Sequence, residues 1–143
     1  MDAAIRDVFF YGLYMDPDVL RGQGIEPGTP RRAHVDGFAL RIGARATLVP
    51  SAHGRVHGMV YTLAPEALRA LYAHAGLEAY RPEGVLAWIE GDTPRPALCF
   101  RLAHVPAPHE RNEDYARRLQ EILGRLGFPA EAIAAVAGTA DID

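Results

Sequence analysis

Hydrophobic and polar residues alternate along the first hundred positions with a period near two, which is typical of β-strands. Short apolar or alternating runs predict strands over residues 8–10, 32–43, 46–50, 56–63, 80–90 and 95–102. Gly37 predicts a β-bulge inside the second of these strands. The Ser-Ala-His-Gly segment at 51–54 predicts a turn between the third and the fourth.

Helical spacing appears at the beginning, in the middle and in the last third of the chain. Asp16 followed by Pro17 is typical of a helix N-cap and first position, so a short helix is predicted through Arg21. A second helix is predicted from about residue 62 to 73. Asn112 predicts the cap of a third, whose apolar stripe is formed by Tyr115, Leu119, Ile122, Leu123 and Leu126.

Strands and helices do not alternate strictly along the chain, which disfavours a doubly wound parallel sheet. The pattern instead predicts an α+β fold, a small and mainly antiparallel β-barrel with flanking helices. A chain of 143 residues is long enough to bury a core within one domain, so we expect a single domain over residues 1–143.

Composition narrows the choice of partners. The net charge of −3 disfavours nucleic acid and anionic membranes as partners. All 15 basic residues are arginine, and the absence of lysine excludes Schiff-base chemistry and a Walker-type phosphate loop. Neither a signal peptide nor an apolar span of about 20 residues is evident, so a cytoplasmic protein is expected.

The sulfur and imidazole groups do not form a recognisable catalytic or metal-binding pattern. The lone Cys99 lies in an apolar run, which predicts a buried hydrophobic residue rather than a nucleophile. The six histidines lack the closely spaced pairs of a zinc site, so no metal and no cofactor is expected.

The segment that joins the first strand to the first helix is the candidate binding element. A Tyr-Gly turn at a helix start leaves backbone N–H groups free to hold an anion or a carbonyl oxygen, although an ordinary strand-to-helix turn has the same pattern. Glu78 and Glu83 flank Tyr80 at the start of a strand, where a carboxylate either faces this turn or is a solvated edge residue. The candidate binding residues are Tyr11, Gly12, Leu13, Tyr14, Met15 and Tyr80.

Several stretches, in order, resemble the γ-glutamylcyclotransferase-like family. Residues 11–15 (Tyr-Gly-Leu-Tyr-Met) resemble its Tyr-Gly-x-Asn-(Leu/Met) loop. Residues 46–50 (Ala-Thr-Leu-Val-Pro) and 56–61 (Val-His-Gly-Met-Val-Tyr) resemble two of its strands. Residues 115–129 resemble its C-terminal helix and Gly-Leu-Pro turn.

The resemblance implies a small barrel with a pocket at the Tyr-Gly loop and a γ-glutamyl compound as substrate. In active members the substrate's own α-amine attacks its γ-carbonyl, which releases an amine and 5-oxoproline. Loop N–H groups hold the glutamyl part, and one glutamate acts as the base on the amine. Ring closure is intramolecular, so orientation in a pocket contributes much of the acceleration.

The chain departs from the family pattern at three positions. The family places its base in a Leu-Asp-x-x-Glu-Gly turn, and the matching run at 71–76 has Ala75 in the place of that glutamate. Tyr14 stands where asparagine is usual, and Ala132 replaces a frequent tyrosine. The loss of a general base typically costs about 10²–10⁴ in rate.

Three interpretations follow. The first is a cyclotransferase-like enzyme whose base is Glu78, the nearest acid after Ala75, or Glu83, or lies elsewhere. The second is a non-catalytic binding protein for a small carboxylate or amide. The third interpretation is a related acyl-transfer or lyase activity with His74 as acid or base. The partner is in each case a small molecule, and neither its identity nor the oligomeric state follows from the sequence.

Overall fold

The computed structural model describes residues 6–73, 77, 79–91, 93–107 and 109–140. The strands are β1 (Arg6–Phe10), β2 (Arg31–Ile42), β3 (Ala46–Leu63), β4 (Tyr80–Ile89) and β5 (Pro94–Leu102). The helices are α1 (Pro17–Gly22), α2 (Pro65–Tyr72), α3 (Glu113–Arg125) and α4 (Ala130–Ala140), and a single 3-10 turn at Leu13–Met15 precedes α1.

The five strands close into a barrel in the order β1, β3, β2, β4, β5. All neighbours are antiparallel except β1 and β5, which meet in parallel at Val8 and Leu98. The long β2–β3 hairpin shifts register between Asp36 and Phe38, and Gly37 adopts a φ of +90° there. The predicted α+β barrel with flanking helices and the predicted bulge at Gly37 are both confirmed.

The predicted turn at residues 51–54 is wrong, because β3 continues through it as one strand of 18 residues. Gly54 lies in this strand at a close approach to β2, where a Cβ atom would stand 2.1 Å from the carbonyl oxygen of Phe38. The glycine is therefore required by the curvature of the hairpin over the bulge and not by a chain reversal. Pro50, opposite Phe38, is tolerated at the same irregularity.

The helix boundaries follow the predicted caps. The Asp16 side chain accepts a hydrogen bond from the Asp18 N–H (3.0 Å), and the Asn112 side chain accepts one from the Tyr115 N–H (3.1 Å). The stripe predicted for α3 faces the barrel, with Leu119, Ile122 and Leu123 among its buried residues. None of the helices in the described ranges is long and apolar enough to cross a membrane.

The core fills the barrel and the space under α3 and α4. Val8, Val60 and Tyr61 are fully buried on adjacent strands, and Cys99 is equally buried on β5. Burial raises the pKa of the Cys99 thiol to about 12, so the thiol is protonated at neutral pH. The prediction that this cysteine is a buried hydrophobic residue is confirmed.

An ion pair between the buried Asp16 and the half-exposed Arg125 joins the first helix to the third. Asp16 is 4% exposed and accepts a hydrogen bond from Arg125 Nη2 at 2.8 Å. Burial pushes the pKa of Asp16 upward, but the hydrogen bonds from Arg125 and from the Asp18 N–H outweigh it, and the net pKa is lowered. The pair fixes the segment after the Tyr-Gly turn against α3, from which Tyr115 reaches that turn.

Candidate functional site

A cavity of about 240 Å³ opens beside the end of β1. The Tyr-Gly turn, the β2–β3 turn, the end of α2, the segment before β4 and the first turn of α3 each contribute to its wall. The lining is mostly aromatic and apolar: Phe9, Phe10, Tyr11, Gly12, Leu13, Tyr14, Val19, Ala44, Arg45, Ala46, Tyr72, Leu77, Tyr80 and Tyr115. Such a concave apolar cavity with a few polar groups is typical of a small-molecule site.

Gly12 is required by the close approach of Tyr115. A Cβ atom at position 12 would stand 2.3 Å from the Tyr115 hydroxyl oxygen. That hydroxyl accepts a hydrogen bond from the Leu13 N–H at 3.3 Å, a long distance for such a bond. A backbone N–H of the turn therefore lies at the cavity wall with a weak partner that a ligand oxygen can replace.

Five tyrosines contribute to the lining of the cavity. Tyr11 donates a hydrogen bond to the Phe100 carbonyl at 2.7 Å, and Tyr80 donates to the Ala46 carbonyl at 2.5 Å. The ring of Tyr72 stacks on Phe100 with centroids 4.0 Å apart. Because the hydroxyls of Tyr11 and Tyr80 bond to backbone carbonyls, uncharged groups hold these two rings in place.

Burial keeps these phenols protonated. It raises the pKa of Tyr115 to about 12 and raises the pKa values of Tyr11, Tyr72 and Tyr80 well above that of a free tyrosine. A phenol with so high a pKa is a poor general base near pH 7. The tyrosines can donate hydrogen bonds and form apolar walls, but proton abstraction requires another group.

Arg45 is the cationic residue of this lining, and it lies exposed at the rim. It belongs to the tight turn between β2 and β3, in which the Gly43 N–H donates to the Arg45 carbonyl at 3.0 Å. Glu110 fastens this turn: one carboxylate oxygen accepts from the Ala44 N–H and the other from the Ala107 N–H, both at 3.1 Å. These two bonds also lower the pKa of Glu110.

The structure brings together most of the residues predicted to bind a ligand. Tyr11, Gly12, Leu13, Tyr14 and Tyr80 all line the cavity. Met15 lies behind the wall, fully buried, and its carbonyl accepts a hydrogen bond from the Tyr61 hydroxyl at 2.7 Å.

The candidate acids are placed differently. Glu83 lies on β4 with 45% of its side chain exposed, forms an ion pair with Arg101, and is not part of the cavity lining. His74, Ala75 and Glu78 lie outside the described residues. Leu77, the neighbour of Glu78 in the chain, lines the cavity. No carboxylate belongs to the lining among residues 6–73, 77, 79–91, 93–107 and 109–140.

The sequence predicts no binding role for nine of the lining residues, among them Tyr115, Tyr72 and Arg45. It predicts Tyr115 only as part of an apolar stripe. The signal for Tyr115 is a residue with a hydroxyl group in the first turn of an otherwise aliphatic stripe. Arg45 carries a weaker signal, a cation in a turn that directly precedes a buried strand.

Comparison with known proteins gives one family match. The family model described as gamma-glutamyl cyclotransferase, AIG2-like, matches residues 8–120, which is more than half of the chain. The comparison with curated proteins gives no match.

Solved structures share the fold at low sequence identity. YkqA from Bacillus subtilis superposes with a TM-score of 0.80 at 22% identity over 96% of this chain and 55% of that protein, so the chain spans about half of its length. A structure named gamma-glutamyl cyclotransferase gives 0.76 at 15% identity, covering 98% of this chain and 89% of the other. A yeast gamma-glutamyl cyclotransferase specific to glutathione gives 0.63 at 12% identity, covering 96% and 98%. Together with the cavity beside the Tyr-Gly turn, the family match shows that the chain belongs to the gamma-glutamyl cyclotransferase, AIG2-like family.

Proposed function

We propose that the protein is a cyclotransferase that converts a γ-glutamyl compound into 5-oxoproline and a free amine. The observation that carries the proposal is the cavity in which the Tyr-Gly turn, with its weakly bonded Leu13 N–H, faces a wall of tyrosine rings. Backbone N–H groups at such a turn suit the oxygen atoms of a glutamyl group. The rings exclude water and fold the ligand.

The reaction needs no group beyond the substrate and a base. The α-amine of the substrate attacks its own γ-carbonyl carbon and forms the ring C–N bond. The bond from that carbon to the leaving nitrogen breaks, and the leaving nitrogen takes up a proton. Because the attack is intramolecular, a cavity that holds the substrate bent supplies much of the rate through orientation. The α-amine titrates near pH 8, so a carboxylate close to it can remove its proton.

We assign the base to Glu78, with Glu83 as the second candidate. The family's glutamate position holds Ala75, and Glu78 is the next acid along the chain. Its chain neighbour Leu77 belongs to the cavity lining, while Glu78 itself lies outside the described residues. Glu83 is the weaker candidate, because its carboxylate is bound to Arg101 on β5 and is not part of the cavity lining.

The test is the release of 5-oxoproline from a panel of γ-glutamyl dipeptides and amines. We expect Glu78→Gln to lower the rate by about 10²–10⁴, since it removes the proton acceptor and keeps the shape. Glu83→Gln and the control Glu66→Gln, on the exposed side of α2, are expected to retain the wild-type rate. Unchanged activity in Glu78→Gln combined with loss in Glu83→Gln would move the base to Glu83.

A second candidate function is binding without chemistry. One observation favours it: none of the described lining residues is a carboxylate. On this alternative the wild type releases no 5-oxoproline, but 5-oxoproline or glutamate analogues raise its melting temperature, because a ligand that binds only the folded state stabilises it. Ala75→Glu would then create the missing base, and we expect it to produce activity in a cavity that already binds.

A further inference from the structure

Arg45 has no ionic partner in the part of the chain that the structure describes. It is a cation in a lining of aromatic and aliphatic side chains, and none of the described carboxylates forms an ion pair with it. Glu110 contacts the same turn, but both of its oxygens accept hydrogen bonds from backbone N–H groups. An arginine at the rim of an apolar cavity is well suited to a ligand's carboxylate, because its planar guanidinium makes two parallel hydrogen bonds with it.

The turn that carries Arg45 is held firmly. The ideal Cβ position of Gly43 would be 2.7 Å from the Pro106 side chain, so the segment around Glu110 packs directly against the turn. Arg41 adds hydrogen bonds to the carbonyls of Pro106 (3.1 Å) and Ala107 (3.3 Å). A turn fixed in this way holds the backbone of Arg45 at the rim, so that binding costs little backbone freedom.

The cavity thus offers two different groups to an anionic ligand, on separate elements. One is the backbone of the Tyr-Gly turn, where the Leu13 N–H meets Tyr115. The other is the Arg45 guanidinium, which lies close enough to Tyr80 to act on its pKa, opposing the increase caused by burial. A ligand with a single carboxylate uses one of these groups and leaves the other without a partner.

We infer that Arg45 is a specificity-determining residue that binds a carboxylate on the leaving-amine side of the ligand. This inference rests on the proposed function, since that function places the glutamyl carboxylate at the Tyr-Gly turn. The protein therefore prefers γ-glutamyl amino acids over γ-glutamyl amines that lack the second carboxylate. The discrimination comes from a charge-assisted hydrogen bond at the rim, formed next to apolar walls that reduce its exposure to water.

Two inert ligands separate this inference from the chemistry. Glutaryl-alanine keeps the γ-glutamyl skeleton and both carboxylates but lacks the α-amine, so it cannot cyclise. Glutaryl-ethylamide is the same molecule without the alanine carboxylate. We expect calorimetric titration of the wild type to give about tenfold tighter binding of glutaryl-alanine, and Arg45→Gln to reduce this ratio to about one. The affinity for glutaryl-ethylamide stays unchanged in that variant.

Two further variants serve as controls in this titration. Arg69→Gln alters another exposed arginine, on α2, and is expected to preserve the tenfold ratio. Arg45→Lys keeps the charge but loses the planar guanidinium, so we expect an intermediate ratio. It also serves as the second variant if Arg45→Gln fails to fold.

A wild-type ratio near one overturns the inference, as does the failure of both ligands to bind. An equal loss for both ligands in Arg45→Gln overturns it too, because Arg45 would then hold the glutamyl carboxylate. Release of 5-oxoproline from γ-glutamyl-alanine, measured separately, decides the proposed function alone.

Discussion

Two clusters of aromatic rings on this barrel differ in the partners of their polar atoms. The tyrosine pocket, formed by Tyr11, Tyr14, Tyr72, Tyr80 and Tyr115, surrounds the cavity. The outer row consists of Trp88, His34, His57 and Phe128. Trp88 and His34 are cross-strand partners of β4 and β2, His34 and His57 are partners of β2 and β3, and Phe128 packs edge-on against His57.

The difference lies in the partners of the polar atoms. In the tyrosine pocket, the hydroxyls of Tyr11 and Tyr80 donate to backbone carbonyls, and the lining includes the guanidinium of Arg45 without a described carboxylate. In the outer row, His34 lies 3.9 Å from Asp36 and His57 lies 3.4 Å from Glu131 on α4. The charged partners of the outer row are supplied by the protein, whereas none of the described carboxylates pairs with Arg45. Aromatic content alone therefore does not identify the binding site.

The largest effect expected from this comparison is on stability. Tyr72→Ala removes a ring that stacks on Phe100 and also contacts the rings of Tyr14 and Tyr80, so we expect it to lower the free energy of unfolding by about 2–4 kcal/mol. Trp88→Ala removes a ring that is 42% exposed, and we expect a loss of about 1 kcal/mol. Urea denaturation followed by circular dichroism measures both, because Trp88 is the only tryptophan and its fluorescence is lost in that variant.

Tyr72→Phe is the control for this pair, since it keeps the stacked ring and removes only the hydroxyl. We expect it to retain most of the stability that Tyr72→Ala loses. If the two alanine variants lost equal stability, the rings of the tyrosine pocket would be no better packed than those on the outer face, and the contrast between the clusters would fail.

The next effect concerns the close contact that shapes the Tyr-Gly turn. In Gly12→Ala the new methyl group overlaps the Tyr115 hydroxyl, so either the ring or the turn must move, and we expect a destabilisation of about 1–3 kcal/mol. The double variant with Tyr115→Phe removes the overlapping oxygen and should recover most of that loss. Thermal unfolding of the two single variants and the double variant gives the coupling between the two positions.

Gly84→Ala is the matched control, because Gly84 lies on exposed β4 with nothing within 4 Å of the added Cβ atom. We expect it to be close to wild type. If Gly12→Ala were equally harmless, or if Tyr115→Phe gave no recovery, the hydroxyl would not be what requires glycine at position 12.

The parts of the fold that could be predicted from sequence are those set by neighbours in the chain. Asp16 caps α1 through the N–H of a residue two positions away, and the α3 stripe follows from spacing alone. The turn predicted at 51–54 is wrong, because glycine at position 54 is required by the close approach of Phe38 on another strand. Tyr115 was missed as a site residue for the same reason, since it meets Leu13 across a separation of 102 positions.

The smallest effect expected is a pH dependence of stability that arises in the outer row. Burial lowers the pKa of His34, the Arg55 guanidinium lowers it further, and Asp36 opposes both. His57 also lowers this pKa, and Glu131 on α4 raises it. A free histidine titrates near pH 6.5, so below that pH the unfolded chain binds the proton more readily than the folded protein. This contribution therefore destabilises the fold as the pH falls through 6.5, and it becomes constant below the folded-state pKa.

We expect His34→Gln to reduce the difference between the unfolding free energies at pH 7.5 and pH 5.5. His53→Gln, which alters an exposed histidine on the same hairpin, should preserve it. Proton NMR of the His34 ring gives the folded-state pKa directly. A value above 6.5 would reverse the sign, because Asp36 and Glu131 would then outweigh burial, and acidification would stabilise the outer row. The tyrosine pocket has no such dependence in this range, since its phenols stay protonated throughout. The two clusters therefore differ in their response to pH as well as in the partners of their polar atoms.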